Sequence, residues 1–323
     1  MTEETEQPHA ETRCGFVAVV GAPNAGKSTL VNALVGAKVS IVSPRVQTTR
    51  TLVRGIAMFG ESQVVFVDTP GIFQPKKRFE RAMVAAAWSS AADAEIVLLV
   101  VDAVKASKPS GEADNDRIVA DLKASNRKAM LALNKVDLAD KGKLLELAHR
   151  LSASGVFTEI FMVSALTGDG LDQIREKLKA LVPPGPWLFP EDEVTDMPSR
   201  MLAAEVTREK LFLNLKQELP YSCAVETERW EEKTDGSIRI EQVIYVTRES
   251  HRPIVLGNGG QRIKTIGASA RRELEGMFDR RVHLFLHVKV LENWAEDKER
   301  LRKLESDWDM ILFSPFAPGG GIP

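Results

Sequence analysis

Short apolar runs recur along the first half of the chain, each bounded by residues that favour turns. Residues 16–20, 53–59, 64–67, 96–101, 129–133 and 160–163 have the length and the Val/Ile/Leu content of buried strands. Stretches with apolar residues at helical spacing follow most of them, as Leu30, Val31, Leu34 and Val35 do after the first. Strands of this kind alternating with amphipathic helices predict a doubly wound parallel α/β sheet, an α/β domain spanning residues 14–182. The runs at 53–59 and 64–67 are expected to form an antiparallel hairpin.

After residue 182 the pattern changes. Pro183, Pro184, Gly185, Pro186, Pro190 and Pro198, interspersed with Glu191, Asp192, Glu193 and Asp196, cannot continue a helix. Residues 183–198 therefore read as a semi-rigid acidic linker. Residues 199–219 read as a helix with Leu202, Val206 and Leu213 on one face and Ser199 as its N-cap. Two strand-like runs, 224–230 and 238–246, are joined at Asp235-Gly236, a strong hairpin turn. Next come an apolar run at 253–256, the glycine-rich 257–260, and a helix with Ile263, Ile266, Ala270, Leu274 and Met277 inward. Val282, Leu284, Leu286, Val288 and Val290 alternate strictly, as in a strand. The order α-β-β-α-(G-x-x-G)-α-β is that of an α+β KH domain of the second topological type. It occupies residues 199–323, including a C-terminal extension. Trp294, Leu301, Leu304, Trp308 and Phe313 lie among charges in that extension, which reads as a helix packed back on its own domain.

Composition narrows the picture only slightly. The 323 residues allow two domains, and a net charge of −2 selects no partner. Cys14 and Cys223 are far apart in sequence and offer neither a disulfide framework nor a metal spacing. Residues 1–13 are polar and acidic, unlike a signal peptide, and are expected to be a disordered tail. No apolar run is long enough to cross a bilayer, so a cytoplasmic protein is expected. His283 and His287 lie about 13 Å apart along a strand, too far to share one ion.

The chemistry begins at Gly21-Ala22-Pro23-Asn24-Ala25-Gly26-Lys27-Ser28-Thr29, which fits G-x-x-x-x-G-K-[ST] without mismatch. A strand that feeds a glycine-rich turn opening a helix aims successive N–H groups and the helix dipole at an anion. Lys27 supplies a point charge for β/γ-phosphates, and Ser28 a hydroxyl for Mg²⁺. Asp68-Thr69-Pro70-Gly71 follows the third run: Asp68 suits Mg²⁺ through water, and the Gly71 amide suits a γ-phosphate. Asn134-Lys135-Val136-Asp137 follows the fifth run and selects the base. Guanine presents two donors, N1–H and the 2-amino group, which one carboxylate, Asp137, can accept together. The stem of Lys135 can lie along the base. Backbone amides of Ser164-Ala165-Leu166 are expected to meet guanine O6.

Between residues 40 and 51, Gln47-Thr48-Thr49-Arg50 reads as a switch segment. Thr49 is expected to complete the Mg²⁺ shell in the triphosphate state. Ile72 occupies the place where a glutamine commonly orients the attacking water, so hydrolysis is expected to be slow without a partner or ion. Asn24 suits either a monovalent cation such as K⁺ or local backbone bonds. In the second domain Arg252, Gly257, Asn258, Gly259, Gly260, Arg262 and Lys264 form a basic surface around a turn that admits a single-stranded nucleic-acid backbone.

With these residues in hand, the chain resembles the Era family of bacterial GTPases, through GAPNAGKS, QTTR, DTPGIF, NKVD, VSALTGDG and VLGNGGQRIKTIG. The resemblance implies a GTPase with GTP/GDP and Mg²⁺ as ligands. It also implies binding near the 3′ end of the small-subunit (16S) ribosomal RNA, a role in maturing the 30S subunit, and peripheral inner-membrane contact in some members. A monomer is expected. The loop departs from many KH loops in having Asn258-Gly259, with no basic residue, between its outer glycines. Two alternatives come from other classes. One is a membrane-associated signalling GTPase whose C-terminal domain binds protein; the other is a tRNA-modifying GTPase, for which neither an extra domain nor a reactive cysteine site is visible.

Overall fold

The computed structural model describes residues 11–45, 48–75, 78–107, 113–216 and 219–291, the side chains of 78 and 79 excepted. Gln47 and the C-terminal extension lie outside the described residues. The chain divides into two compact units, residues 1–40 with 52–196, and residues 41–51 with 197–323.

The first unit is a six-stranded sheet ordered β2-β3-β1-β4-β5-β6, from Arg13–Val20 (β1), Val53–Phe59 (β2), Ser62–Asp68 (β3), Ile96–Asp102 (β4), Ala129–Asn134 (β5) and Phe157–Val163 (β6). β2 and β3 form the expected antiparallel hairpin, and every other neighbouring pair is parallel. Val17 to Val20 and Val97 to Val101 are buried almost completely, the continuous apolar pattern of strands covered on both faces. Helices α2 (Arg78–Asp93), α3 (Ala103–Ala106), α4 (Ala113–Ala124) and α5 (Lys141–Ser152) bury Ala87, Ala91, Ile118, Leu122, Leu144 and Leu147 in one apolar layer. Helices α1 (Lys27–Val35) and α6 (Leu171–Leu181) pack on β2 and β3 and on each other. Leu30, Leu34, Ile174 and Leu178 are their inward residues.

Two expectations are corrected in this unit. Thr12 and Arg13, expected in the tail, are part of the first unit. Arg13 already pairs with Ser62 in the sheet, and the Thr12 carbonyl accepts from Gly185 N at 2.9 Å. The expected linker is a strap, secured to the edge hairpin by backbone groups that would otherwise be unpaired. Ile56 N donates to Val194 O at 2.9 Å, and Gln63 Oε1 accepts from Leu188 N and Phe189 N at 2.8 and 3.0 Å. Arg54 pairs with Asp196 at 2.8 Å.

The second unit has a three-stranded sheet ordered β7-β8-β9, from Cys223–Glu232, Ile238–Val246 and Val282–Val290. β7 and β8 are antiparallel, turning at Gly236, while β8 and β9 are parallel. Helices α7 (Ser199–Asn214), α8 (Arg252–Leu256) and α9 (Gln261–Phe278) complete the α-β-β-α-α-β order. Ala203 and Val206 of α7, Ala270 and Leu274 of α9, and Ile238 and Ile240 of β8 share one core. Pro198, not Ser199, occupies the N-cap of α7. The helix stops at Asn214, short of residue 219, and Leu213 is 51% exposed.

Residues 41–51, expected within the first domain, belong to this second unit. Arginines hold them there. Arg45 Nε donates to Phe212 O at 2.8 Å, Arg50 reaches Cys223 O and Tyr221 O at 3.2 and 3.1 Å, and Arg208 reaches Thr48 O at 2.7 Å. Arg50 and Arg208 stack over the Phe212 ring at 5.7 and 5.4 Å. Burial, with the Arg208 charge adding to it, pushes Arg50 down to about 9. Among the described residues no helix is long and apolar enough to cross a membrane.

Candidate nucleotide site and single-strand loop

The phosphate loop leaves β1 at Gly21, where close approach dictates the residue type. A Cβ there would lie 2.3 Å from the Val100 carbonyl oxygen of β4. At Gly26, the N-cap of α1, φ is 94°, and a Cβ would lie 2.3 Å from Asn134 Nδ2. The loop can therefore wrap only as glycine at these two points. Lys27 opens α1, and its buried Nζ donates to Gly21 O and Ala22 O, both at 3.1 Å. Burial pushes its pKa down to about 8, with Asp68 opposing the shift. A buried ammonium at a helix N-terminus, partnered by two neutral carbonyls, is chemically suited to a polyanion. Ala22 and Ala25 are buried, Pro23 and Thr29 half-buried, and Asn24 is exposed at φ 62°.

Two hydroxyls converge on one carboxylate oxygen beside that loop. Ser28 Oγ donates to Asp68 Oδ2 at 2.6 Å, and Ser40 Oγ donates to the same atom at 2.8 Å. Asp68 ends β3 and is fully buried; Thr69 Oγ1 donates to Val19 O at 2.9 Å, tying the segment after it to β1. A hydroxyl and a carboxylate side by side are hard oxygen donors, and such a pair fits Mg²⁺, which takes one or two protein oxygens together with phosphate and water. Gly71 abuts the phosphate loop so closely that a Cβ would lie 2.9 Å from Pro23 N. Ile72 N donates to Gly21 O at 3.0 Å, and its side chain, 1% exposed, points into the apolar core. Ser40 was not foreseen; its only sequence signal is its place at the start of the switch segment. Thr49 is half-buried in the second unit, whereas Ser28 and Asp68 belong to the first.

The base-selecting end is built differently from the sequence reading in one respect, its backbone amides. Asn134 is buried and its amide is committed: Nδ2 donates to Ala25 O and Oδ1 accepts from Ala165 N, both at 2.9 Å. It ties three loops together and still has a second Nδ2 hydrogen to offer. Ser164 N likewise donates to Asp169 O at 3.0 Å. Of the three amides expected to face guanine O6, only that of Leu166 makes no hydrogen bond among the described residues. The Leu166 side chain is 81% exposed. Lys135, at φ 66°, spans Asn24 O at 2.9 Å and Asp102 Oδ2 at 2.6 Å, which lays its stem along the end of the phosphate loop. Asp137 is exposed, follows Val136 in a short 3₁₀ turn, and its carboxylate makes no hydrogen bond among the described residues.

In the second unit the turn between α8 and α9 holds three glycines at positive φ, Gly257, Gly259 and Gly260 at 73°, 56° and 76°. A Cβ on Gly257 would meet Arg262 Cβ at 2.7 Å, whereas nothing lies within 4 Å of one on Gly259 or Gly260. The outer face of the turn is thus open to close approach by another backbone. Arg262 braces the turn by donating to Ile254 O, and Arg252 pairs with Glu249 at 3.6 Å. Asn258 and Lys264 are exposed. Among the described residues no three His, Cys, Asp or Glu side chains gather as a metal cage.

Residues 16–135 match a family described as 50S ribosome-binding GTPase, and residues 218–295 match the KH domain family. The chain is 52% identical to the GTPase Era of Rhizobium meliloti (strain 1021) over 306 residues, covering 95% of this chain and 96% of that one. It is 55% identical to the GTPase Era of Afipia carboxidovorans over 304 residues, covering 94% and 96%. Two solved structures resemble it at 38% identity, each covering 90% of this chain and 98% of the other. One is an Era variant from Aquifex aeolicus bound to GDP·AlF4⁻, with a TM-score of 0.84. The other is Era in complex with MgGDPNP and nucleotides 1506–1542 of 16S ribosomal RNA, with a TM-score of 0.83.

Proposed function

The chain belongs to the Era family of GTPases and hydrolyses GTP; from that premise we propose that it is a switch that binds single-stranded RNA near the 3′ end of 16S rRNA and assists 30S maturation. The observation that carries the RNA part is the open, three-glycine turn at the N-terminus of α9, flanked by Arg252 and Lys264. The structural relative crystallised with 16S nucleotides supports the same reading.

In this reading the loop amides and Lys27 bind the β- and γ-phosphates. Ser28 and Asp68 would hold Mg²⁺, which would supply positive charge beside the phosphates. Gly71 N–H contacts the γ-phosphate, Asp137 accepts both guanine donors, and Leu166 N–H meets O6. Thr49 would join the metal shell only with triphosphate. Ile72, core-bound, orients no water, and unaided hydrolysis is slow. The protein acts as a monomer in the cytoplasm.

Ultraviolet crosslinking to total cellular RNA tests this, with the full chain loaded either with a non-hydrolysable GTP analogue or with GDP. Enrichment of the 16S 3′ end in the analogue state is expected. If neither state retains RNA, a signalling GTPase with a protein-binding second domain replaces it.

A further inference from the structure

A cleft of about 610 Å³ opens on the second unit, lined by α8, α9 and the end of α7. It lies on the flank of α9 turned away from the sheet edge. Gly267 marks the sheet-facing flank, since a Cβ there would lie 3.4 Å from Leu286 Cδ1 of β9. Gln261 and Thr265, which line the cleft, stand roughly 120–160° round the helix from Gly267. The mouth is formed by Gly257 and Asn258, so the cleft begins where the glycine turn ends.

Three features define what can enter. The volume falls within the roughly 300–1,000 Å³ of sites that enclose a small organic group. One wall is apolar, made by Pro253 and Ile254, the latter 47% exposed. The wall supplied by α7 is an oriented amide. Asn214 Nδ2 donates to Lys210 O at 2.8 Å, which fixes the carboxamide and leaves Oδ1 as an acceptor unused among the described residues. The cleft contains one cation, Arg262, whose guanidinium is engaged by the Ile254 carbonyl, so a free anion is poorly served.

We propose that this cleft is a nucleobase subsite, separate from the face of α9 that looks toward β9, in which Asn214 Oδ1 accepts a hydrogen bond from the exocyclic amino group of adenine, cytosine or guanine. The inference rests on the RNA-binding reading above and deepens it. A strand held by its backbone at the glycine turn places one base over α8, its flat face on Ile254 and its amino edge toward Asn214. Uracil has no amino group and would set a carbonyl against the Asn214 oxygen.

Fluorescence anisotropy with the full chain and labelled single-stranded dodecamers of cytidine, uridine and adenosine tests it. The wild-type chain is expected to favour cytidine over uridine. In Asn214→Leu that ratio falls about fivefold, the worth of one neutral hydrogen bond, while uridine affinity holds. Asn214→Asp keeps an acceptor and retains the preference. Thr265→Trp, a change at an exposed helical position, fills the cleft and removes it. Equal ratios in wild type and Asn214→Leu, or an equal loss for both pyrimidines, overturn the subsite and leave RNA binding standing. If no dodecamer binds any form, the RNA-binding reading fails and the subsite with it.

Discussion

Asn134 grips the Ala25 carbonyl of the phosphate loop with Nδ2 at 2.9 Å, and the other end of the same amide receives Ala165 N–H at 2.9 Å. One buried side chain therefore sets the distance between the phosphate end and the base end of the site. Asn134→Ala leaves a buried carbonyl and a buried N–H without partners, each worth about 1–3 kcal/mol. GTP and GDP affinity should both fall, on the order of a hundredfold, with the ratio of GTP to ITP binding unchanged. Isothermal titration with the three nucleotides checks this. A changed GTP/ITP ratio would mean that Asn134 itself reads the base.

Lys27 makes nucleotide binding pH-dependent, with a definite sign. Its pKa in the free chain is about 8, and adjacent phosphates favour the charged form and raise it. Below that pH the lysine is already charged and affinity is flat. Above it, binding must take up a proton, so affinity falls toward a limit of about tenfold per pH unit. In the free chain the shift acts on stability. The unfolded lysine keeps its proton up to 10.5, so the fold gains stability as pH rises from about 8 toward 10.5. Calorimetry of GDP binding in buffers of differing ionisation heat, from about pH 7 to 9, should report proton uptake that Lys27→Met abolishes. A flat profile, or an unchanged slope in the variant, defeats the assignment.

Asp137 carries base choice in this reading, and its carboxylate is exposed with no hydrogen bond among the described residues. Asp137→Asn replaces one of two acceptors with a donor, which faces the guanine 2-amino group badly. Xanthine carries a carbonyl at that carbon and suits the amide. GTP affinity should fall roughly a hundredfold or more while XTP affinity rises. The fold should be unaffected, because the residue is at the surface. Competition binding of the two nucleotides decides it, and parallel losses for both would remove Asp137 from base recognition.

Both sheets were legible in sequence because their periods differ. Near-continuous apolar runs mark β1, β4 and β5 as buried on both faces, whereas β9 alternates. Motif residues were legible because glycine and lysine spacing encodes backbone geometry. What could not be read are contacts made by backbone groups of distant segments. Residues 183–198 look like a linker because Pro and acids dominate, yet Ile56 N–H and Gln63 secure this segment to the edge hairpin. The commitment of the Ser164 and Ala165 amides, leaving Leu166, is equally invisible in a tripeptide. Nothing in the sequence around Arg45 and Arg50 marks their partners; only the fold brings them to the carbonyls of Phe212 and Tyr221.

The glycine turn of the second unit separates a folding role from a binding role within four residues. Gly257 has no room, because a Cβ would lie 2.7 Å from Arg262 Cβ at a φ of 73°. Gly257→Ala should therefore destabilise the second unit by about 1–3 kcal/mol, through strain at a left-handed backbone and displacement of α9. Gly260 has the same backbone hand, φ 76°, but open space around its Cα. Aspartate tolerates that conformation better than most residues, so Gly260→Asp should cost only about 1 kcal/mol of stability. Its carboxylate would stand where the backbone of a bound strand approaches, at the N-terminus of α9. RNA affinity should drop at least tenfold at low salt, by repulsion and loss of close approach. The loss should shrink as salt rises and screens the repulsive part. Thermal melts and anisotropy at two salt concentrations separate the two variants. If Gly260→Asp melts as low as Gly257→Ala, or binds RNA like the wild type, the turn is a structural corner and not the place where RNA is held.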